Sequence, residues 1–290
     1  MKKEVQQQKV AIITGSSSGI GHATALLLAR NRFHTYATMR NIKKSVDIMD
    51  IANRERLPLQ VIQLDVNDDL SVKNAIEEII SEKERIDTLV NNAGYGLIGP
   101  IEDISVEELK VQFETNLFGV IRVTKQVLPI MRRQKEGGRI INVSSIGGIV
   151  GYPFSSAYCS TKFALEGLSE SMSYEVEQFG IKVILIEPAF VISDFHKNAK
   201  IVIKSDKAAN FSPYTQTMNK MFEAYKEVIE EYQIPAEEVA KVILDASVSA
   251  NPDQRYLVSK YSEMMGEAKR TMSDAQSHNM MKSQLLDNGK

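Results

Sequence analysis

Short apolar runs alternate along the chain with longer stretches whose apolar residues recur at helical spacing. The runs are Val10–Ile13, Phe33–Thr38, Leu59–Leu64, Thr88–Val90, Arg139–Val143, Lys182–Ile186 and Arg255–Val258. They are rich in Val and Ile and nearly continuous, as in strands buried on both faces of a parallel sheet. The segments between them are long enough to carry crossover helices. This alternation predicts an α/β fold, with one parallel sheet of about seven strands and helices on both faces. Right-handed crossovers then favour a doubly wound topology.

Two stretches depart from the alternation. Residues 190–233 are long for a connection and carry Met218, Met221, Phe222, Tyr225, Val228, Ile229 and Tyr232 at helical spacing. The tail, residues 271–290, is polar and rich in Met, Ser and Gln, and is expected to be poorly ordered. No Pro/Gly/Ser-rich linker or solenoid repeat divides the chain. The expected organisation is one domain over residues 1–270, with an insertion at about 190–233 and a short tail.

Composition narrows the function. The 290 residues carry 35 basic and 37 acidic side chains, a net charge of −2, which gives no footprint for nucleic acid. Cys159 is the only cysteine, so no intramolecular disulfide can form, in keeping with a reducing compartment. His22, His34, His196 and His278 lack metal-ligand spacing, and no metal is expected. Residues 1–9 lack the apolar run of a signal peptide, and no apolar stretch approaches the ~20 residues of a membrane span. The protein is read as cytoplasmic.

The first strand leads into Thr14-Gly15-Ser16-Ser17-Ser18-Gly19-Ile20-Gly21 and then a helical stretch, Ala23–Arg30. Glycines let the backbone turn sharply and approach a pyrophosphate, and a helix N-terminus offers it unpaired N–H groups. A ligand-free βα turn is the plain alternative. The second strand ends in Met39-Arg40-Asn41 with no carboxylate. An acid there would accept from the ribose 2′-OH of NAD, whereas arginine suits the 2′-phosphate of NADP. NADP is therefore expected over NAD, with a solvated surface charge as the alternative for Arg40.

Further along stand Asp65 in Leu64-Asp65-Val66, Asn91-Asn92-Ala93-Gly94, Asn116, Ser145, and Tyr158-Cys159-Ser160-Thr161-Lys162. Together with the glycine-rich turn and in this order, they resemble the short-chain dehydrogenase/reductase superfamily, in its compact single-domain Rossmann branch. The resemblance covers roughly residues 9–260 and implies a nicotinamide-dependent oxidoreductase. It implies a cofactor site built from Gly15, Ser17, Ser18, Gly19, Ile20, Gly21, Arg40, Asp65, Val66, Asn92, Ala93 and Gly94. Tyr158, Lys162, Pro188, Val191 and Ser193 would complete it. Asp65 would serve the adenine amino group; a helix N-cap is its other reading.

The resemblance makes Asn116, Ser145, Tyr158 and Lys162 the catalytic group. Tyr158 and Lys162, four apart, share a helix face if Ser155 or Ser156 caps a helix after Pro153. A free phenol, with a pKa of ~10, is a poor base, and a nearby ammonium would lower that value. Tyr158 would then act as general acid in reduction and general base in oxidation. Ser145 would hydrogen-bond the substrate oxygen, with Ser144 as its alternative. The resemblance also gives Lys162 the nicotinamide ribose, and gives Asn116 a water in a proton relay. After the sixth strand the family usually has Pro-Gly and a later Thr; here Pro188 is followed by Ala189, and Ser193 replaces the Thr.

Leu97, Tyr152, Phe190 and Phe195 are the candidate wall of the substrate site, with Ser145 at its polar end. The aromatic and Met-rich 190–233 stretch suits an apolar or bulky small-molecule carbonyl or alcohol, or it simply packs a helix onto the body. Residues 33–40 are similar to the matching region of NADP-using hydroxysteroid dehydrogenases. Residues 105–135 and 155–179 should be the long helices through which the family forms homodimers and homotetramers. A non-catalytic dinucleotide-binding regulator is the competing function, but it would have little reason to keep Ser145, Tyr158 and Lys162 together.

Overall fold

A computed structural model describes residues 8–195, 199–203 and 212–286 of the protein. The strands in chain order are β1 Val10–Ile13, β2 His34–Met39, β3 Leu59–Gln63, β4 Thr88–Asn91, the short β5 Leu97–Ile98, β6 Gly138–Val143 and β7 Ile181–Pro188. The short β8 Val191–Ile192, β9 Lys200–Ile201 and β10 Ile234–Pro235 follow, and β11 Arg255–Val258 is last. Seven of these form one sheet in the order β11-β7-β6-β4-β1-β2-β3. Every pairing in it is parallel. This is the doubly wound sheet expected from the apolar runs.

Winding runs outward both ways from β1, so a crevice opens where it reverses, between β1 and β4, at the carboxyl ends of the strands. Alternate residues face opposite layers. Ala11 and Ile13 join a core with Ala25, Leu28, Ile48, Val239 and Ile243. Val10 and Ile12 join the other, with Ile76, Ile79, Val123, Val127 and Met172. The helices on the first face are α1 Gly19–Arg30, α2 Val46–Glu55 and the helix Ala236–Val248; on the second lie α3 Asp69–Lys83, α5 Gly119–Arg133 and α6 Ser156–Val176.

Two helical details differ from the sequence reading. Residues 106–133 form one long helical body, but α4 Val106–Phe113 and α5 are joined by a π-helical turn, Glu114–Phe118, which contains Asn116. Such wider turns often mark functional sites. The tail expected to be poorly ordered is helical over Asp274–Leu285, and its last four residues lie outside the described ones. Ser273 caps it through a reciprocal box with Gln276, and Met281 and Leu285 bury against Phe190, Tyr261 and Met265. Polar composition hid two apolar anchors four residues apart, enough to dock one helical face.

Candidate active site and dinucleotide cleft

The turn after β1 is built for close approach. Gly15 has φ +69°, the left-handed region that glycine tolerates best, and a Cβ there would lie 2.8 Å from the Ala93 Cα. Gly21 is packed even more tightly: a Cβ would lie 2.5 Å from both the Asn92 Nδ2 and the Gly15 carbonyl oxygen. Gly21→Ala is expected to cost about 1–3 kcal/mol of stability by overpacking, read as a lowered Tm. An unchanged Tm would show that the turn can relax. Ser18 stands at the N-cap of α1, yet its hydroxyl caps no backbone N–H, and no acidic residue occupies the first turn. The helix N-terminus thus faces the crevice with its amides uncapped by side chains, which suits an anion.

The Asn91–Gly94 segment stitches β4 to this turn. The Thr14 Oγ1 accepts from the backbone N–H of Asn92 (2.9 Å) and Ala93 (3.1 Å). Asn92 Nδ2 donates to the carbonyls of Thr14 (2.9 Å) and Gly15 (3.1 Å). Asn91 Nδ2 donates to Asn142 Oδ1 at 2.9 Å, tying β4 to β6. Asn92 is therefore part of the scaffold, while Ala93 and Gly94 border the crevice. Asp68, not Asp65, caps α3 by accepting from Leu70 and Ser71. Asp65 instead accepts from Asn67 N–H at 3.0 Å, in the loop at the end of β3. Val66 is buried against Gly119.

Arg40 is exposed just past β2, and Ser16 donates its backbone N–H to the carbonyl of Thr38, two residues earlier (2.9 Å). The end of β2 is thereby held beside the glycine-rich turn. The Arg40 guanidinium has no ion pair among the described residues. Ser193 lies on the other side of the turn, its Cβ 3.0 Å from where a Gly19 Cβ would be, and its hydroxyl donates to the Val191 carbonyl (3.3 Å). A cavity of about 490 Å³ opens here, lined by Gly19, His22, Ile192, Ser193 and Ala236 among others. Ala189 lacks the positive φ that would require the family's usual glycine, so that departure introduces no strain.

Ser145, Tyr158 and Lys162 converge at the end of β6. A Cβ on Gly147 would lie 3.3 Å from a Tyr158 ring carbon and 3.4 Å from Ser145 Oγ, so both groups border one small volume. Ser145 Oγ accepts from Gly147 N–H at 3.0 Å. Lys162 is buried; its Nζ donates to the Val143 carbonyl at 2.8 Å and lies 5.9 Å from the Tyr158 ring centre. Burial pushes the Lys162 ammonium down to about 8, opposed by the charge of Glu166. Burial pushes the Tyr158 phenol above its ordinary value, and the nearby Ser145 hydroxyl opposes this only in part. The downward pull of Lys162 expected from sequence does not prevail here, and the phenol keeps its proton through neutral pH.

The helix carrying both residues begins as expected, but its cap differs. Ser155 occupies the N-cap position of α6, while its hydroxyl donates backward to the Pro153 carbonyl (3.3 Å). Asn116 is buried; its Nδ2 donates to Thr161 Oγ1 (3.1 Å) and the Tyr95 carbonyl (3.0 Å), and its Oδ1 accepts from Tyr95 N–H (3.1 Å). It joins α6 to the loop after Gly94 and makes no direct hydrogen bond to Lys162.

Of the four wall candidates, Phe195 alone stacks on Tyr158, edge to face at 5.8 Å. Leu97 is buried with Ile104, Ala157 and Val202. Phe190 and Tyr152 meet through Tyr225, at 6.0 and 6.2 Å. Tyr261, which sequence reasoning missed, packs 5.0 Å from Phe190; only its place in an amphipathic stretch after β11 pointed to burial.

Residues 9–201 match the family described as short chain dehydrogenase. The chain is a short-chain dehydrogenase/reductase. This dehydrogenase is 40% identical over 195 residues to the 3-ketodihydrosphingosine reductase of Bacteroides thetaiotaomicron, covering 67% of this chain and 68% of that relative. It is 36% identical over 260 residues to estradiol 17-beta-dehydrogenase 1 of Rattus norvegicus, covering 85% and 72% respectively. A solved short-chain dehydrogenase from Streptomyces avermitilis superposes with a TM-score of 0.79 at 26% identity, covering 98% of both chains. The family binds nicotinamide dinucleotides and acts on small molecules. Among the described residues of this dehydrogenase no helix is long and apolar enough to cross a membrane, and no group of three potential metal ligands occurs.

Proposed function

We propose that the protein is an NADP-dependent oxidoreductase that interconverts a carbonyl and a secondary alcohol on a lipophilic small molecule. The observation that carries this reading is the meeting of Ser145, Tyr158 and Lys162 at the strand ends beside the crevice. A binding protein on the same fold has no use for a buried lysine beside a phenol and a serine hydroxyl.

The residues fit a dinucleotide. Gly15, Gly19 and the uncapped start of α1 would take the pyrophosphate, with the Ser17 and Ser18 hydroxyls free of protein partners among the described residues. Arg40 would take the 2′-phosphate, Asp65 and Val66 the adenine, and Ala93 and Gly94 the adenosine side. Pro188, Val191 and Ser193 would flank the nicotinamide, and Lys162 its ribose. When bound, the dinucleotide supplies or accepts the hydride. Ser145 would orient the substrate oxygen and stabilise charge developing on it. Tyr158 would hand its hydroxyl proton to that oxygen in reduction, the direction its protonated state serves. Asn116 would hold the Tyr95 backbone and α6 in register for this.

The lipophilic substrate rests on Tyr152, Phe190, Tyr225 and Tyr261, and on relatives whose names specify a ketosphingoid base and a steroid. Self-association through the long helices is supported by Val111, Phe118, Phe163 and Tyr174, all exposed on them. The test is NADPH consumption with a panel of long-chain and polycyclic ketones beside short polar ones. Turnover concentrated on the lipophilic ketones is expected. Tight dinucleotide binding without turnover on any carbonyl or alcohol would favour the regulator instead.

A further inference from the structure

Behind the site lies a buried ionic cluster that the reaction as described does not use. Glu166 follows Lys162 by one turn of α6, and both residues are buried, at 6% and 7% exposure. Arg255 reaches from β11 to three carboxylates: its Nη1 donates to Glu166 Oε2 and, at 2.9 Å, to Glu187 Oε1, and its Nη2 to Glu170 Oε2 at 2.9 Å. Glu187, on β7, is 1% exposed, so two buried carboxylates share one guanidinium. Two like charges so placed do not both ionise easily. Burial and the neighbouring Glu166 push the Glu187 carboxyl well above the usual carboxylate range, against the pull of Arg255.

The orientation of Glu166 is informative. Its Oε1 is buried and makes no hydrogen bond, and neither does Ser144 Oγ. Both crowd Gly148: a Cβ there would lie 3.1 Å from Oε1 and 2.9 Å from Ser144 Oγ. Ser144 separates Ser145 from Val143, whose carbonyl holds Lys162. One carboxylate oxygen is thus fixed by Arg255, and the other is turned toward the strand end that carries the catalytic candidates. A carboxylate bonded on one side only, in so dry a place, calls for a second counter-charge. Lys162 is the cation one turn away on α6, bonded to the Val143 carbonyl and making no direct ion pair with Glu166, so the two interact through space across a dry gap. The groups facing this pair are Tyr158, Cys159 and Glu170 from α6; the Val143 carbonyl, Ser144 and Ser145 from the end of β6; Glu187 from β7; and Arg255 from β11.

We propose that Glu166 is a positioning residue for the reaction: anchored by Arg255, its buried carboxylate is the counter-charge that keeps the Lys162 ammonium protonated beside Tyr158. The proposal rests on the reading of Tyr158 and Lys162 given above. In reduction the pair must hold its proton, so activity is present at low pH and lost as pH rises through the Lys162 transition, at about 8. The Glu166 charge raises that transition. Removing it moves the loss to lower pH.

The experiment is the pH profile of NADPH-dependent ketone reduction at saturating cofactor. Glu166→Gln is expected to shift the alkaline limb down by roughly half a pH unit or more, lowering activity at pH 8.5 about threefold relative to its own plateau. Glu170→Gln, which removes only the exposed carboxylate that Arg255 also holds, leaves the limb in place. Should Glu166→Gln not fold, the double variant Glu166→Gln/Arg255→Met removes the pair without stranding a buried cation, and carries the same expectation. An unmoved alkaline limb in whichever of these variants folds overturns the proposal. A Tyr158→Phe enzyme with full turnover would instead overturn the site reading beneath it.

Discussion

Tyr158→Phe is expected to lower kcat for ketone reduction by about 10²–10⁴-fold, the usual contribution of a positioned general acid. The change deletes one oxygen. Tyr158 is half-buried, and its ring packs against Phe195, a contact that phenylalanine preserves. Fold, dinucleotide affinity and substrate KM should therefore stay close to wild type, and the loss should fall on kcat. What disappears is the hydroxyl proton that the phenol carries at neutral pH. Ser145 would still orient the substrate oxygen, and residual turnover would come from that hydrogen bond and from orientation alone. Steady-state kinetics with a saturating ketone, together with fluorescence titration of NADPH, separate the two quantities. A Tyr158→Phe protein with wild-type kcat would remove the phenol from the mechanism.

The sheet was legible in the sequence because its strands are buried on both faces, which leaves runs such as Val10–Ile13 almost wholly apolar. Boundaries moved by one or two residues, as with β7, which extends to Pro188. The ordered motif from Gly15 to Lys162 was equally legible, because its residues must occupy fixed positions on strand ends and on one helix. The π-turn at Asn116 was not. Nothing in Glu114–Phe118 breaks the helical pattern; the wider turn accompanies three hydrogen bonds that Asn116 shares with Tyr95 and Thr161, partners distant in sequence.

The Glu166–Glu187–Arg255 cluster was hidden for a related reason. Its members lie up to 89 residues apart and come from a helix and two strands that meet only after the sheet is wound. In sequence each reads as an ordinary surface charge. The tail failed differently: sparse Met281 and Leu285 looked too few to hold a helix, but Tyr261 and Met265 had already provided an apolar surface for them. Tertiary context overrode local composition.

Arg40→Asp should reverse the cofactor preference. The end of β2, which carries Arg40, is held beside the turn that would take the pyrophosphate, and the guanidinium makes no hydrogen bond or ion pair among the described residues. A charge-assisted hydrogen bond contributes about 1.5–3 kcal/mol, so its loss alone weakens NADPH roughly 10–100-fold. Aspartate adds repulsion toward a 2′-phosphate and offers an acceptor to a 2′-hydroxyl, so the ratio of NADPH to NADH affinity is expected to swing by about 100-fold or more. Arg40 is exposed and its side chain bonds to nothing among the described residues, so Tm should barely change. Lys43 and Lys44 follow on the exposed turn Ile42–Ser45, capped by Asn41. A preference for NADPH that survives Arg40→Asp intact would assign the phosphate to those lysines, or show that nothing at this strand end reads it.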